Sequence, residues 1–574
     1  MDQSERTSRQ VGELLGAIDP GAIADPALRA LVVLLLNVIE DQQRQIAELR
    51  ADNQRQRDEI NRLKGEQGKP DVKGNTPPPP TDYSSERERC TPRAWSKGRK
   101  RDTLRIDREQ RLELDRAALP ADAVFKGYAD VVVQDLVFRS ETIQFRKAKW
   151  YSPGERTSYL APLPVGYGGQ FGPGLKSFVL ALGYGANVSQ APLLALLRDA
   201  GVQISAGEVA HLLTQDQQRW EAEVATVAAA ALGGSPWQEL DDTPTRVDGQ
   251  NHYCQVLTSP LATIYRTTPG KDRLTVLDVL RSGRPRAFLL NAEAERLLAA
   301  VTLSPRTRRG LAQLPREHLL DEATLDGLLA AHLPDLGVQQ RKWLREALAV
   351  AAYHAERDVP VIRLLLTDDA PQFAGVTEAT ALCWVHEGRH YKKLLPYLPR
   401  HQELLAAFLT RFWAYYHELL AYAAAAAGSP DDPSPGVPPA AAERARLAAA
   451  FDPLFATETG YRALDERIAL TRAKKARLLQ VLEHPEVPLH TNAAERGARR
   501  RVRKRDVSFG PRSAAGCQAW DTCMTLAATA AQHGVSFLAY LHDRLTQTAR
   551  LPSLSTLIEQ RARELHLGAS WATG

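Results

Sequence analysis

With 574 residues, 44% of them hydrophobic and 25% charged, the chain has the composition of an ordinary globular protein long enough for several domains. Its net charge of +5 is too small to define a partner, and the longest apolar run, residues 31–36, is far too short to cross a bilayer. Five scattered cysteines without a CxxC pair argue against a disulfide framework, and the polar residues 1–20 are no secretory signal, so a cytoplasmic protein is expected.

Residues 1–64 are expected to be helical and to pair chains into a homo-oligomer. Val32, Ile39, Ile46, Asn53 and Ile60 recur every seven residues, and Leu35, Gln42, Leu49, Gln56 and Leu63 follow three positions later. This is the a/d pattern of a coiled coil, with Asn53 as the polar a residue that often fixes register. The alternative is one long amphipathic helix packed on its own protein. Residues 65–104 read as an extended linker, with four prolines at 77–80 and a basic cluster at 87–101. Residues 105–165 predict a small β-rich region from the runs Asp130-Val131-Val132-Val133 and Leu136-Val137-Phe138.

Residues 166–225 predict three short helices broken at 183–187 and 201–204, the third opened by a capping box, Ser205 with Glu208. Such a unit suits a helix-turn-helix whose last helix enters the major groove, and it equally suits three core helices. From residue 226 the pattern is α/β. A short strand runs into Asp241-Asp242-Thr243, Asp248-Gly249 signals a tight turn, and 252–257 with 262–266 reads as a hairpin. The helical block 288–355 interrupts this core part (226–287). The core resumes over 356–400 with an apolar strand at 361–366 ending in Thr367-Asp368-Asp369. A second helical block, 401–487, broken at 428–439, separates it from 488–515. There Glu495 sits in the first turn of a helix begun at Thr491 or Asn492, and seven of the ten residues 496–505 are Arg or Lys. Residues 516–574 are helical, and the chain as a whole is expected to be mostly α.

Carboxylates at the ends of neighbouring strands converge above a sheet, and oxygen ligands of that kind suit Mg²⁺ or Mn²⁺. Two such ions can hold the attacking and leaving oxygens of a phosphoryl displacement. Asp241-Asp242, Asp368-Asp369 and Glu495 are therefore the candidate ligands. Each has a structural alternative: a turn for Asp241-Asp242-Thr243, a helix cap for Asn492-Ala-Ala-Glu495.

Several blocks, in order, resemble the large transposase of the insertion sequence 66 family, of the Asp-Asp-Glu type. Leu240-Asp-Asp-Thr-Pro-Thr-Arg-Val247 is similar to the family's strand with its first catalytic Asp. Thr367-Asp-Asp-Ala-Pro-Gln-Phe373 is similar to its second block, and counting back from Phe373 selects Asp368, with Asp369 as alternate, as Asp242 is for Asp241. Cys383-Trp-Val-His-Glu-Gly-Arg389 and Asn492-Ala-Ala-Glu-Arg496 are similar to its Cys-x-x-His-x-x-Arg and Asn-Ala-x-Glu-Arg stretches. The resemblance implies a ribonuclease-H-like catalytic core with helical insertions and two metal ions held by Asp241, Asp368 and Glu495. It implies cleavage and strand transfer of double-stranded DNA at the element's ends, possible accessory proteins of the element, and a nucleoid-associated place in the cytoplasm. Arg496, Arg499, Lys504, His386, Arg389 and the Ser205 helix are the expected DNA contacts. Zinc is not expected: residues 103–170, where the family keeps a cysteine motif, hold no cysteine, and Cys383, His386 and His390 lack a fourth ligand. The alternatives are a ribonuclease-H-like nuclease that cuts without joining, and an inactive transposase acting as a DNA-binding repressor.

Overall fold

The computed structural model describes residues 18–64, 105–115, 119–120, 123–136, 138–357, 360–427 and 441–571. The expected linker at 65–104 with its basic cluster, and the break at 428–439, lie outside these residues.

The heptad segment is one helix, α1 (Pro26–Leu63), with Pro26 at its first position and the Asp25 carboxylate accepting the Ala27 and Leu28 amides. Its first half packs on the same chain through polar residues lying between heptad positions. Asn37 Nδ2 donates to the Gly460 carbonyl at 2.8 Å and its Oδ1 accepts the Arg462 amide at 2.9 Å. Glu40 accepts the Leu398 amide at 3.0 Å and lies 3.0 Å from His401 Nδ1. The second half leaves Leu49, Ile60 and Leu63 exposed.

Where a small sheet was expected, the described residues form one hairpin, β1 (Lys149–Ser152) with β2 (Thr157–Leu160). The run around Val131 and Val133 is not a strand, and Val137 lies outside the described residues. No partner strand and no core face it, and Val131 is 83% exposed. A β-prone run needs both to become a strand. The three expected helices follow as α2 (Pro173–Leu180), α3 (Gln190–Asp199) and α4 (Ala206–Thr214). The capping box forms as anticipated: Ser205 Oγ accepts the Glu208 amide and Glu208 the Ser205 amide.

After α5 (Gln217–Gly234) comes the main sheet: β3 (Trp237–Val247), β4 (Gln250–Thr258), β5 (Thr263–Thr268), β8 (Leu364–Thr367) and β9 (Ala379–Leu382). Spatial order is β5-β4-β3-β8-β9. β3, β4 and β5 pair antiparallel, while β8 and β9 run parallel to β3. Asp248 and Gly249 join β3 to β4 with φ of 49° and 74°, as a two-residue hairpin turn of right-handed twist requires.

The stretch between β5 and β8 holds α6 (Arg273–Leu280), α7 (Ala292–Ala299), α8 (Pro305–Leu311), α9 (Glu322–His332) and α10 (Val338–His354), with a short pair β6 (Phe288–Leu289) and β7 (Leu319–Leu320). Leu240, Leu257, Ile264 and Leu365 bury one sheet face against this unit. β9 leads into α11 (Trp384–Lys392) and a second helical unit, α12 (Pro399–Ala427), α13 (Ala441–Phe455), α14 (Arg462–Arg472) and α15 (Lys475–Leu478). Its core is aromatic, with Trp384 against Phe412, Tyr415 and Phe451. The chain then returns as α16 (Asn492–Ser508), α17 (Ala514–Gln532), α18 (Phe537–Thr546) and α19 (Leu554–Leu565). Cys254, Val256 and Tyr265 on the opposite sheet face are buried with residues of α16 and α17. The protein is a mostly helical α/β chain with a mixed sheet covered on both faces. No described helix is long and apolar enough to cross a membrane.

Candidate active site

β3 does not stop at Asp241, as the sequence suggested, but runs on to Val247 because β4 pairs with it along its length. Its other neighbour, β8, pairs only with residues 237–239. Asp241 thus lies just past the point where the parallel side of β3 opens. Asp368 follows the last residue of β8. Glu495 sits in the first turn of α16, which lies close to the sheet: a Cβ on Gly497 would stand 2.5 Å from Val256 Cγ1. Tyr265 OH donates to the Gly497 carbonyl at 3.2 Å and fixes the helix there.

Asp241 is near enough to Asp368 and Glu495 to feel their charges. Burial above all pushes the Asp241 carboxyl up to about 7, and the negative charges of Asp368, Glu495 and Asp242 add to the push. Its Oδ1 accepts the Asp242 amide at 2.9 Å, and among the described residues no Lys, Arg or His pairs with it. Asp368 Oδ1 accepts the Ala370 amide at 3.1 Å. Glu495, by contrast, is held by a guanidinium: Arg389 Nη1 lies 3.0 Å from Oε1 and Nη2 3.3 Å from Oε2. His386 Nε2 stands 3.5 Å from the same carboxylate and accepts from Arg389 Nη1 at 2.9 Å. Burial, with the neighbouring Arg389 charge, keeps the His386 ring below its usual range. Glu495 does not serve as a helix cap, which was the structural alternative for that block.

The two alternates point elsewhere. Asp369 meets Lys474 Nζ at 2.7 Å and Arg477 Nη1 at 2.8 Å. Burial works to raise its carboxyl, yet these two cations hold it below the usual range. Asp242 meets Lys271 Nζ at 3.3 Å and Gln372 Nε2 at 3.4 Å.

Glu239 was missed by sequence reasoning. It lies two residues before Asp241, on the same face of β3, and is 4% exposed. Its carboxylate accepts the Ala494 amide at 3.0 Å. It therefore caps α16, whose N-cap residue Thr491 makes no side-chain cap bond. Burial pushes Glu239 up to about 7. Two acids spaced by two in a strand were the available signal.

The basic run divides by helical period. Arg496, Arg499 and Arg503 are exposed, whereas Arg501 and Lys504 turn inward. Lys504 corrects an expectation: it was assigned to phosphate, but its ammonium is buried. Nζ donates to the Gly183 carbonyl at 2.5 Å and lies 4.9 and 4.7 Å from the rings of Tyr184 and Trp520. Burial lowers it to about 8. Arg501 pairs with Asp521 at 3.1 Å. Ser205 is exposed, with its hydroxyl engaged in the helix cap.

Among the described residues no three His, Cys, Asp or Glu side chains stand together, in their present positions, as a ready-made metal site. The donor chemistry nevertheless fits a hard divalent ion: oxygen ligands only, with half-buried Asp241 in no ion pair among the described residues.

Fold and cluster together define a mixed α/β protein with acidic residues gathered where two parallel strands end. Compared with known proteins, the chain is 32% identical over 327 residues to the uncharacterized protein y4jO of Sinorhizobium fredii (strain NBRC 101917 / NGR234). That match spans 94% of y4jO and 55% of this chain, so the chain belongs to the family of y4jO. No family model and no solved structure matches the chain.

Proposed function

We propose that the chain is a DNA transposase of the insertion sequence 66 type, built on a ribonuclease-H-like core, that cuts DNA at element ends and joins the freed strand to a target. The observation that carries this reading is the placement of three acids from distant parts of the chain: Asp241 just past the parallel pairing of β3 with β8, Asp368 after the last residue of β8, and Glu495 in the first turn of the helix laid on the sheet. The strand order supports it, because three antiparallel strands flanked by two parallel ones is the arrangement of a ribonuclease-H-like sheet.

Asp241, Asp368 and Glu495 would hold Mg²⁺ or Mn²⁺, which when bound supplies an activated water and charge stabilisation for an in-line displacement at phosphorus. The chain's own residues do the rest. Asp241 gives up its proton as pH passes about 7, making the cluster a stronger cation ligand. Arg389, which pairs with Glu495 and donates to His386, would be the group beside the ions to take a phosphate oxygen, with His386 orienting it. Arg496 and Arg499 on the exposed side of α16 hold the flanking backbone. α4 is the candidate for reading the element's ends, and the exposed half of α1 for pairing chains so that two ends are held together.

Labelled DNA carrying the ends of the encoding element tests this, with Mg²⁺ or Mn²⁺ and wild type beside Glu495→Gln. Metal-dependent cutting and a joined product from the wild type, both lost in the variant, are expected. Cut product without joining favours the plain nuclease. Equal activity in both proteins would remove Glu495 from the chemistry, and binding without cutting favours a repressor.

A further inference from the structure

Beside the carboxylate cluster, past Asp242, lies a cleft of about 550 Å³ between the start of α6, the first half of α10 and the turn after β8. Lys271, Arg273, Lys342, Trp343 and Gln372 line it. Two of these, Lys271 and Gln372, are the residues that hold the Asp242 carboxylate, which is near enough to the cluster for its charge to act on Asp241, so the cleft neighbours the candidate cutting position.

The lining combines the two things a nucleotide needs. Trp343 is half-buried, braced against the apolar core of the first helical unit, and forms part of the cleft wall. A braced indole is a platform on which any base can stack. Around it stand cations, and the acids between them are already engaged. Glu346, 5% exposed, pairs with Arg273 at 3.0 Å and lies 3.9 Å from Lys342. Asp272 caps α6 by accepting the Thr275 amide at 2.8 Å. Arg273 is further fixed by the Pro371 carbonyl at 3.3 Å, and its Nε is buried with no hydrogen-bond partner. Lys271 and Lys342 keep about half of their side-chain surface exposed, within reach of a phosphate. The volume lies within the range of pockets that enclose small organic ligands.

A base paired and stacked inside a duplex cannot enter such a cleft, whereas an unpaired one can. We propose that the cleft receives one unpaired nucleotide of the DNA strand next to the phosphate being cut, its base on Trp343 and its phosphate on Lys271 and Lys342. The proposal rests on the reading of the chain as a DNA-processing enzyme and assigns that enzyme a preference for strand ends that are open.

The test compares a blunt duplex with one carrying a short single-stranded 3′ end, in EDTA so that nothing is cut. Affinity is measured by anisotropy, with 2-aminopurine as the overhanging base. Wild type is expected to bind the open end about five- to a hundredfold more tightly than the blunt one, the span that a single stacked base gives, and to quench the 2-aminopurine. Trp343→Ala should lose both effects while binding the blunt duplex as before. Trp343→Phe should keep part of each, and Lys342→Glu should weaken the open end selectively. Equal wild-type affinity for the two ends, no binding of either, or an unchanged preference in Trp343→Ala and Trp343→Phe would overturn the proposal. Failure of the underlying reading looks different. An intact preference beside cutting that survives Glu495→Gln leaves the cleft standing and removes the assigned chemistry. Metal-dependent cutting without the preference does the reverse.

Discussion

Burying a carboxyl group is costly, and β3 carries two on one face, fully buried Glu239 and half-buried Asp241. Both sit at about 7 in the folded protein, above their ordinary 4.5 and 3.8. The folded state therefore binds protons more tightly than the unfolded one. The stability these groups permit is fully present below about pH 4, falls as pH rises toward about 7, and levels off above that. Asp241→Asn removes the ionising group, so its melting temperature relative to wild type should climb between pH 5 and pH 8. A difference that stays flat with pH would count against this account. Added Mg²⁺ should raise the wild-type melting temperature at pH 8 and leave Asp241→Asn much less affected. Glu239→Ala should cost about 1–3 kcal/mol in urea unfolding through loss of the α16 cap, with Glu239→Gln, which keeps an acceptor, costing less. Asp241 and Glu495 were legible because they stand in recognisable blocks. Glu239 was not, because the amide it caps lies 255 residues away and no local pattern announces it.

Among the elements, α16 does the most to arrange the site, since one helix carries Glu495, the exposed arginines and the face laid on the sheet. Gly497→Ala would drive a methyl into Val256, costing about 1–3 kcal/mol and shifting Glu495. Metal-dependent cutting should fall well below wild type while DNA binding persists; unimpaired cutting would mean the close approach is immaterial. The turn after β8 has its own anchor, because Lys474 bridges Asp369 at 2.7 Å and buried Glu387 at 3.0 Å. Lys474→Met should destabilise by about 2–3 kcal/mol, and Lys474→Met with Glu387→Gln by less than the sum of the single changes. Additive effects in that cycle would deny the coupling. The turn at Asp248-Gly249, the hairpin of β4 and β5, and helices α2 to α4 were readable because turn and capping chemistry is local. The length of β3 was not, because its strand-like continuation depends on β4. The basic run read as one surface until the helical period turned Arg501 and Lys504 inward.

At the scale of the whole molecule, α1 changes along its length from a docked half to an exposed one. The heptads were plain in the sequence, but the docking of its first half was not: it uses Asn37 and Glu40, polar residues outside the a/d seam, and their partners follow residue 396. The second half presents Leu49, 68% exposed, and Leu63, 75% exposed, on a helix with no partner along that stripe among the described residues. Leu49→Glu with Leu63→Glu should shift the protein from multimer to monomer in light scattering, with its melting temperature little changed. A monomeric wild type would end the coiled-coil reading. The two helical units, one between β5 and β8 and one between β9 and α16, were legible as blocks of helical composition. Which sheet face each would cover was not, because that depends on strand alternation across β3, β4 and β5.

One order is built into the chain by α16. Every strand of the main sheet leaves the ribosome before residue 383, whereas Glu495 and the helices over Cys254, Val256 and Tyr265 come out last. A nascent chain thus carries Asp241 and Asp368 with no third carboxylate, and an apolar sheet face with nothing upon it. Completion of the acidic cluster coincides with the closing of the core. A chain interrupted in translation before Asn492 keeps that apolar sheet face uncovered and is prone to aggregate.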